Sequence, residues 1–268
     1  MLSWAVRSLM EDGRGLSDIQ QGVTLEVFGE GWSMGPLADT PETKIMLKRF
    51  LLDQADAVQW TTLGEYLEYL EKKGVSPNIA SFVGATSLRI HEIGFDDRPP
   101  TSAELENMKT LTRQAMEEGA MGLGSSLIYP PAFFASTEEL IELAKVVGEY
   151  DGMYISHMRS EGNRIEQSIE ELVTIAREGG VGAEIYHLKL AGKQNWGKLP
   201  AVVKMIDDAR EEGLDITTDM YTYIAGGTSL SACFPPWASD GGQSKLRERL
   251  KDPETRARIV SAMQTDSD

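Results

Sequence analysis

The chain holds three histidines, and two of them stand in equivalent places. His157 closes the apolar run Met153-Tyr154-Ile155-Ser156, and His187 closes Ala183-Glu184-Ile185-Tyr186 one repeat later. Each therefore sits at the C-terminal tip of a predicted parallel strand, the face on which barrel enzymes carry their reactive groups. Two imidazoles side by side there are suited to hold one Zn2+ ion. A catalytic zinc takes a third protein ligand and keeps a position for water. Glu30 is the candidate, just past the apolar run 23–28 and between Gly29 and Gly31, which let the backbone turn tightly. Taken alone, a glutamate between glycines reads as a turn residue, and it is the histidine pair that raises it.

Other polar residues fall on the same predicted strand-end face: Arg159, Ser160 and Glu161 after the first histidine, Lys189 and Lys193 after the second, and Asp219, Tyr221 and Tyr223 beyond Thr218. A cation here suits a substrate carboxylate, and a tyrosine hydroxyl can orient a carbonyl or an oxyanion. Most of these read as solvated loop residues. Lys189 and Tyr221 stand apart, since strand alternation, if continued, points Lys189 the same way as His187. His91 has no matching partner and reads as structural.

To position these groups, the chain repeats a short apolar run followed by a longer amphipathic one, the βα alternation of a parallel sheet. The predicted strands are 23–28, 78–83, 120–123, 153–156, 183–186 and 215–218. Capping boxes are expected at Thr101 with Glu104 and at Ser136 with Glu139. Glycines 74, 119, 179 and 213 are expected to close helices, with Gly152 soon after another. Residues 243–268 read as a charged helical run with a polar tail. With no linker-like stretch, residues 1–268 form one domain: an α/β fold of the TIM-like (β/α) barrel type, incomplete, with about six of the eight βα units that closure needs.

A formal charge of −16 opposes a nucleic-acid backbone or an anionic membrane as partner and leaves a small molecule or another protein, with an oligomer possible. The single cysteine, Cys233, excludes an intrachain disulfide and fits a reducing compartment. No signal peptide or apolar span is recognisable, so a cytoplasmic location is expected.

The blocks GVTLEVFGEGWSMGP, ASFVGATSLR, QAMEEGAMGLGSSLIYPP, YISHMRSEG, IYHLKLAGKQNWGK and DMYTYIAGGT follow one another as corresponding blocks do in the N-acyl-D-amino-acid deacylases (D-aminoacylases) of the amidohydrolase superfamily, which this chain resembles along nearly its whole length. The resemblance implies a TIM-like barrel with a small β-sandwich domain, and zinc bound by His157 and His187 from strands five and six. Glu30 falls where members carry a metal-binding cysteine or glutamate. Lys189 matches a substrate-contacting lysine, and Tyr221 matches the tyrosine of a D-x-Y-P-Y block in which Thr222 here replaces the proline.

Two family features are absent: a His-x-His pair on the first strand, and the catalytic aspartate of the eighth, which is expected beyond Asp268. The chain accordingly reads as strands two to seven of a fragment or truncated product, with unpaired edges on strands two and seven. The activity implied for the intact enzyme is zinc-dependent hydrolysis of N-acyl-D-amino acids. The alternatives are another amidohydrolase of dihydropyrimidinase or dipeptidase type, or a non-catalytic metal-binding remnant. The dihydropyrimidinase type is disfavoured because strand four, GAMGLGSS, has no lysine to bridge metals.

Overall fold

The computed structural model describes residues 1–265. Its strands are β1 (Leu25–Phe28), β2 (Asn78–Ser81), β3 (Val83–Gly84), β4 (Gly122–Ser126), β5 (Met153–His157), β6 (Gly182–Ile185) and β7 (Ile216–Thr218). All pair in parallel and in chain order, β1 with β2 and then β3 through β7. β2 and β3 are one strand line interrupted at Phe82, whose N–H still bonds Phe28 O at 2.9 Å. The six predicted strands are therefore six strand lines, with bounds shifted by one to three residues. The largest shift is at β4, which runs on to Ser126.

Between the strands lie the helices α1 (Val6–Glu11), α2 (Leu16–Ile19), α3 (Pro41–Leu51), α4 (Leu63–Lys73), α5 (Ala85–Glu92), α6 (Ser102–Glu117), α7 (Thr137–Gly148), α8 (Ile165–Gly179) and α9 (Leu199–Glu211), followed by α10 (Gly242–Lys251) and α11 (Pro253–Thr265). The main core lies between helices and sheet, with Leu140, Ala144, Ile169 and Ile175 fully buried against Leu123, Tyr154 and Ile185. On the opposite face Phe82, Ile155 and Tyr186 form a second cluster. The pleat explains the division: Tyr154 points to the helices while Ile155, and His157 two residues on, point inward. Beyond β7, the third cluster of Ala238, Leu246 and Ile259 packs the last helices. Of the segment 243–268, read as a charged helical run with a polar tail, residues 266–268 lie outside the described residues. None of the described helices is long and apolar enough to cross a membrane.

Three expectations are corrected. The Thr101 capping box forms in full, but at Ser136 only half of it does: Ser136 Oγ accepts from Glu139 N at 3.2 Å, while the Glu139 carboxylate turns inward to Arg89 at 2.7 Å. Arg89 is 1% exposed, and a buried guanidinium claims a carboxylate more strongly than a helix-end amide does. The glycine that closes α8 in the left-handed conformation is Gly180, with φ 68°, one residue later than expected. Finally, the outer edge of β1 is not bare. Leu2 forms a parallel bridge to Val27, with Ser3 N donating to Val27 O and Val27 N to Met1 O, each at 2.9 Å.

Candidate metal centre

Glu30 leaves the tip of β1 in a turn that only glycine flanks allow. Gly29 and Gly31 have φ of 99° and 81°, and a Cβ on Gly31 would lie 2.5 Å from Ser126 Oγ. That same hydroxyl donates to Glu30 O at 2.7 Å, tying the turn to the end of β4. His157 is the last residue of β5. His187 follows β6 by two residues and holds a left-handed backbone of φ 40°, unusual for a side chain with a Cβ. Asp219 holds it there: its carboxylate accepts the His187 N–H, and its carbonyl accepts the Leu188 N–H at 2.9 Å.

These three residues, separated by up to 157 positions in sequence, converge. Glu30 Oε1 lies 3.0 Å from His157 Nδ1 and 3.1 Å from His187 Nε2, and one ligand atom from each residue falls within 4.8 Å of the others. Ligands about 2.0 to 2.1 Å from a tetrahedral zinc are about 3.3 Å apart, so the donor spacing suits such an ion. His157 Nε2 is buried without a hydrogen-bond partner, an imidazole nitrogen whose lone pair a cation would satisfy. The donor set of two imidazoles and a carboxylate is one that zinc and similar divalent ions accept.

Electrostatics mark the same cluster. Burial pushes the Glu30 carboxyl up, but hydrogen bonds from His157, His187 and the Trp4 indole outweigh it and bring it to about 2. Burial likewise disfavours charge on His187, yet its hydrogen bonds to Glu161 and Glu30 raise it to about 9. The two carboxylates thus favour the protonated form of His187 in the metal-free cluster, against burial and the nearby Lys189 ammonium. A divalent cation would take that proton's place.

Lys189 joins the cluster by a route other than strand alternation, because β6 has already ended. Its Nζ lies 2.8 Å from His187 Nδ1, is in contact with Glu161 Oε1, and sits 5.5 Å from the centroid of the Tyr221 ring. Tyr221 stacks on Tyr223 at 4.8 Å, and its ring centroid is 6.1 Å from that of His187.

The remaining residues divide. Arg159 is consumed by Glu171 and by the carbonyls of Phe133 and Ala135, Ser160 Oγ accepts from the amides of Gly162 and Arg164, and Lys193 is exposed. His91 lies on α5 beside Glu92, 2.8 Å away and apart from the cluster. Glu161, grouped above with the solvated loop residues, is instead half-buried and turned into the cluster. Its Oε1 is 3.0 Å from His187 Nδ1 and 4.0 Å from His157 Nε2. Burial works against its charge, but His187, His157 and Lys189 hold the carboxyl below its usual range. Its position four residues after His157 was the available signal. Tyr129, with its ring 5.2 Å from that of His157, and Trp4, which donates to Glu30 Oε2 at 2.7 Å, carried no sequence signal.

No protein-family model matches the chain. It is 35% identical over 214 residues to a D-aminoacylase of Alcaligenes xylosoxydans xylosoxydans, across 79% of this chain and 43% of that protein. A crystal structure of D-aminoacylase, described as defining a subset of amidohydrolases, superposes with a TM-score of 0.72 at 32% identity, covering 84% of this chain and 47% of that one. An N-acyl-D-glutamate deacylase of Bordetella bronchiseptica, solved with zinc and a phosphonate mimic of the tetrahedral intermediate, gives 0.73 at 28% identity, covering 83% and 46%. The chain spans a little under half the length of the relatives it matches.

Proposed function

Because the chain is a partial-length relative of the N-acyl-D-amino-acid deacylases of the amidohydrolase superfamily, we propose that it carries the metal-binding part of a site that hydrolyses the amide bond of N-acyl-D-amino acids. The observation that carries this reading is the meeting of Glu30, His157 and His187 at one point. In this reading these three residues hold a zinc ion. Zinc, when bound, supplies a Lewis acid for the acyl carbonyl and a water of lowered pKa.

The chain's own groups then have distinct tasks. Glu30 and the histidines fix the ion's place, and the buried walls around them keep bulk water away from a developing oxyanion. Lys189, resting against Tyr221, presents a cation for the substrate carboxylate, and Glu161 holds that ammonium beside the histidines. The Tyr221 hydroxyl orients the acyl oxygen. Proton transfer from water to the leaving amine is assigned to the aspartate expected beyond Asp268. In the same reading residues 1–268 are strands two to seven of a (β/α) barrel, accompanied by a β-sandwich domain in the whole enzyme.

The test has two stages. The 268-residue chain is dialysed to remove metal and titrated with Zn2+, and a version extended to the length of its relatives is assayed with N-acetyl-D-amino acids and their L counterparts. Metal binding that is lost in His187→Ala, with turnover of the D series in the extended protein, is the expected result. No metal bound by the wild-type chain, or no D-selective hydrolysis by a metal-loaded extended protein, would overturn the reading.

A further inference from the structure

We propose that Trp4 is a positioning residue that caps Glu30 and aims its carboxylate at the two histidines, an inference that rests on the metal reading above. Glu30 Oε1 faces His157 Nδ1 and His187 Nε2, whereas Oε2 accepts the Trp4 indole N–H at 2.7 Å. An indole N–H is a donor only and cannot ligate a cation. The indole therefore engages the second oxygen by a hydrogen bond and leaves the first to face the two imidazoles.

The cap is built, not incidental. Met1 to Ser3 run parallel to β1 and pair with Val27, which delivers residue 4 to the level of the Glu30 turn. Ser3 anchors the segment twice, donating to the buried Glu26 Oε2 at 2.7 Å and accepting the Ala5 N–H at 3.1 Å. The Trp4 ring then stacks on Phe50, with centroids 6.1 Å apart and planes 15° from parallel. The indole is half exposed, at 51%, so stacking and one hydrogen bond, more than burial, set its direction. By holding Oε2, the indole keeps Oε1 aimed at the two imidazoles, and removing support of this kind from a ligand typically costs about 10- to 100-fold in metal affinity.

The experiment is equilibrium dialysis of the metal-free chain against Zn2+, with bound metal counted by mass spectrometry, on wild type and Trp4→Phe. Phenylalanine keeps the ring against Phe50 and deletes the N–H. Trp4→Phe, with an unchanged circular dichroism spectrum, is expected to bind about 10- to 100-fold more weakly than wild type. The wild-type chain offers a second measurement that needs no variant. The Trp4 indole N–H resonance should exchange slowly with solvent both before and after one equivalent of Zn2+. An undiminished affinity in folded Trp4→Phe, or a fast-exchanging Trp4 N–H, would overturn this inference alone. Absence of any metal binding would overturn the metal reading and this inference together.

Discussion

Metal binding by this chain should weaken about 75-fold as pH falls from 8.5 to 6.5. The perturbation acts on His187, whose ring is pressed between Glu30 Oε1 at 3.1 Å and Glu161 Oε1 at 3.0 Å. Burial opposes its protonation, but these two carboxylates prevail and raise it to about 9. A metal ion can use the ring only after that proton leaves. Below about pH 9 the competent fraction therefore falls tenfold per unit, each unit corresponding to about 1.4 kcal/mol of lost binding. At pH 7 nearly one proton should be released per ion bound. An ordinary histidine near pH 6.5 would release only about a quarter of one there, and its pH dependence would level off above neutrality. Calorimetric titration with Zn2+ in buffers of different ionisation enthalpy counts the protons directly. An affinity that is flat between pH 7 and 8.5, with well under half a proton released, would refute the argument.

Four further outcomes follow from the same geometry. The metal-free fold should gain stability from His187 fully below pH 6.5 and lose it, by about 3 kcal/mol, as pH rises through about 9, whereas the Glu30 contribution is present above about 4.5 and is lost as pH falls through about 2; urea midpoints across pH would show the maximum between the two windows. His157→Ala should abolish stoichiometric zinc binding, and deacylation in an extended protein, as measured by metal content and turnover; retention of either counts against the site. Gly31→Ala should destabilise by about 2 to 4 kcal/mol, read as a shifted urea midpoint, because its Cβ meets Ser126 at a φ of 81°. Glu139→Ala should cost about 3 to 5 kcal/mol in the same assay, since it strands the Arg89 guanidinium in the core.

The order of strands and helices was legible because it depends on short-range physics: period-two burial, capping hydroxyls such as Thr101, and glycines at helix ends. The histidine pair was legible for the same reason. Equivalent positions in successive βα units must emerge on neighbouring strand tips, which is how His157 and His187 come to lie 4.5 Å apart, ring to ring. Glu30 was nominated by its glycines, but its arrival beside both imidazoles is a matter of tertiary structure, set by how far its turn folds in against Ser126.

Where chemistry depends on loops, the sequence was silent or misleading. Glu161 looked like a solvated loop residue and is half-buried against His157, His187 and Lys189. Asp219 pins the strained backbone of His187 through a contact that no pattern announces. Trp4 reaches Glu30 across 26 residues only because the segment before it pairs with β1. At Ser136 the local rule named a box, and the buried Arg89 drew its glutamate away. Amino-acid pattern by itself determined which segments are strands and helices and which tips face the site, since those follow from the pleat and the helical turn. Only the tertiary structure decided which side chains meet there, because loop paths and the competition between buried charges for partners are settled by the whole chain at once.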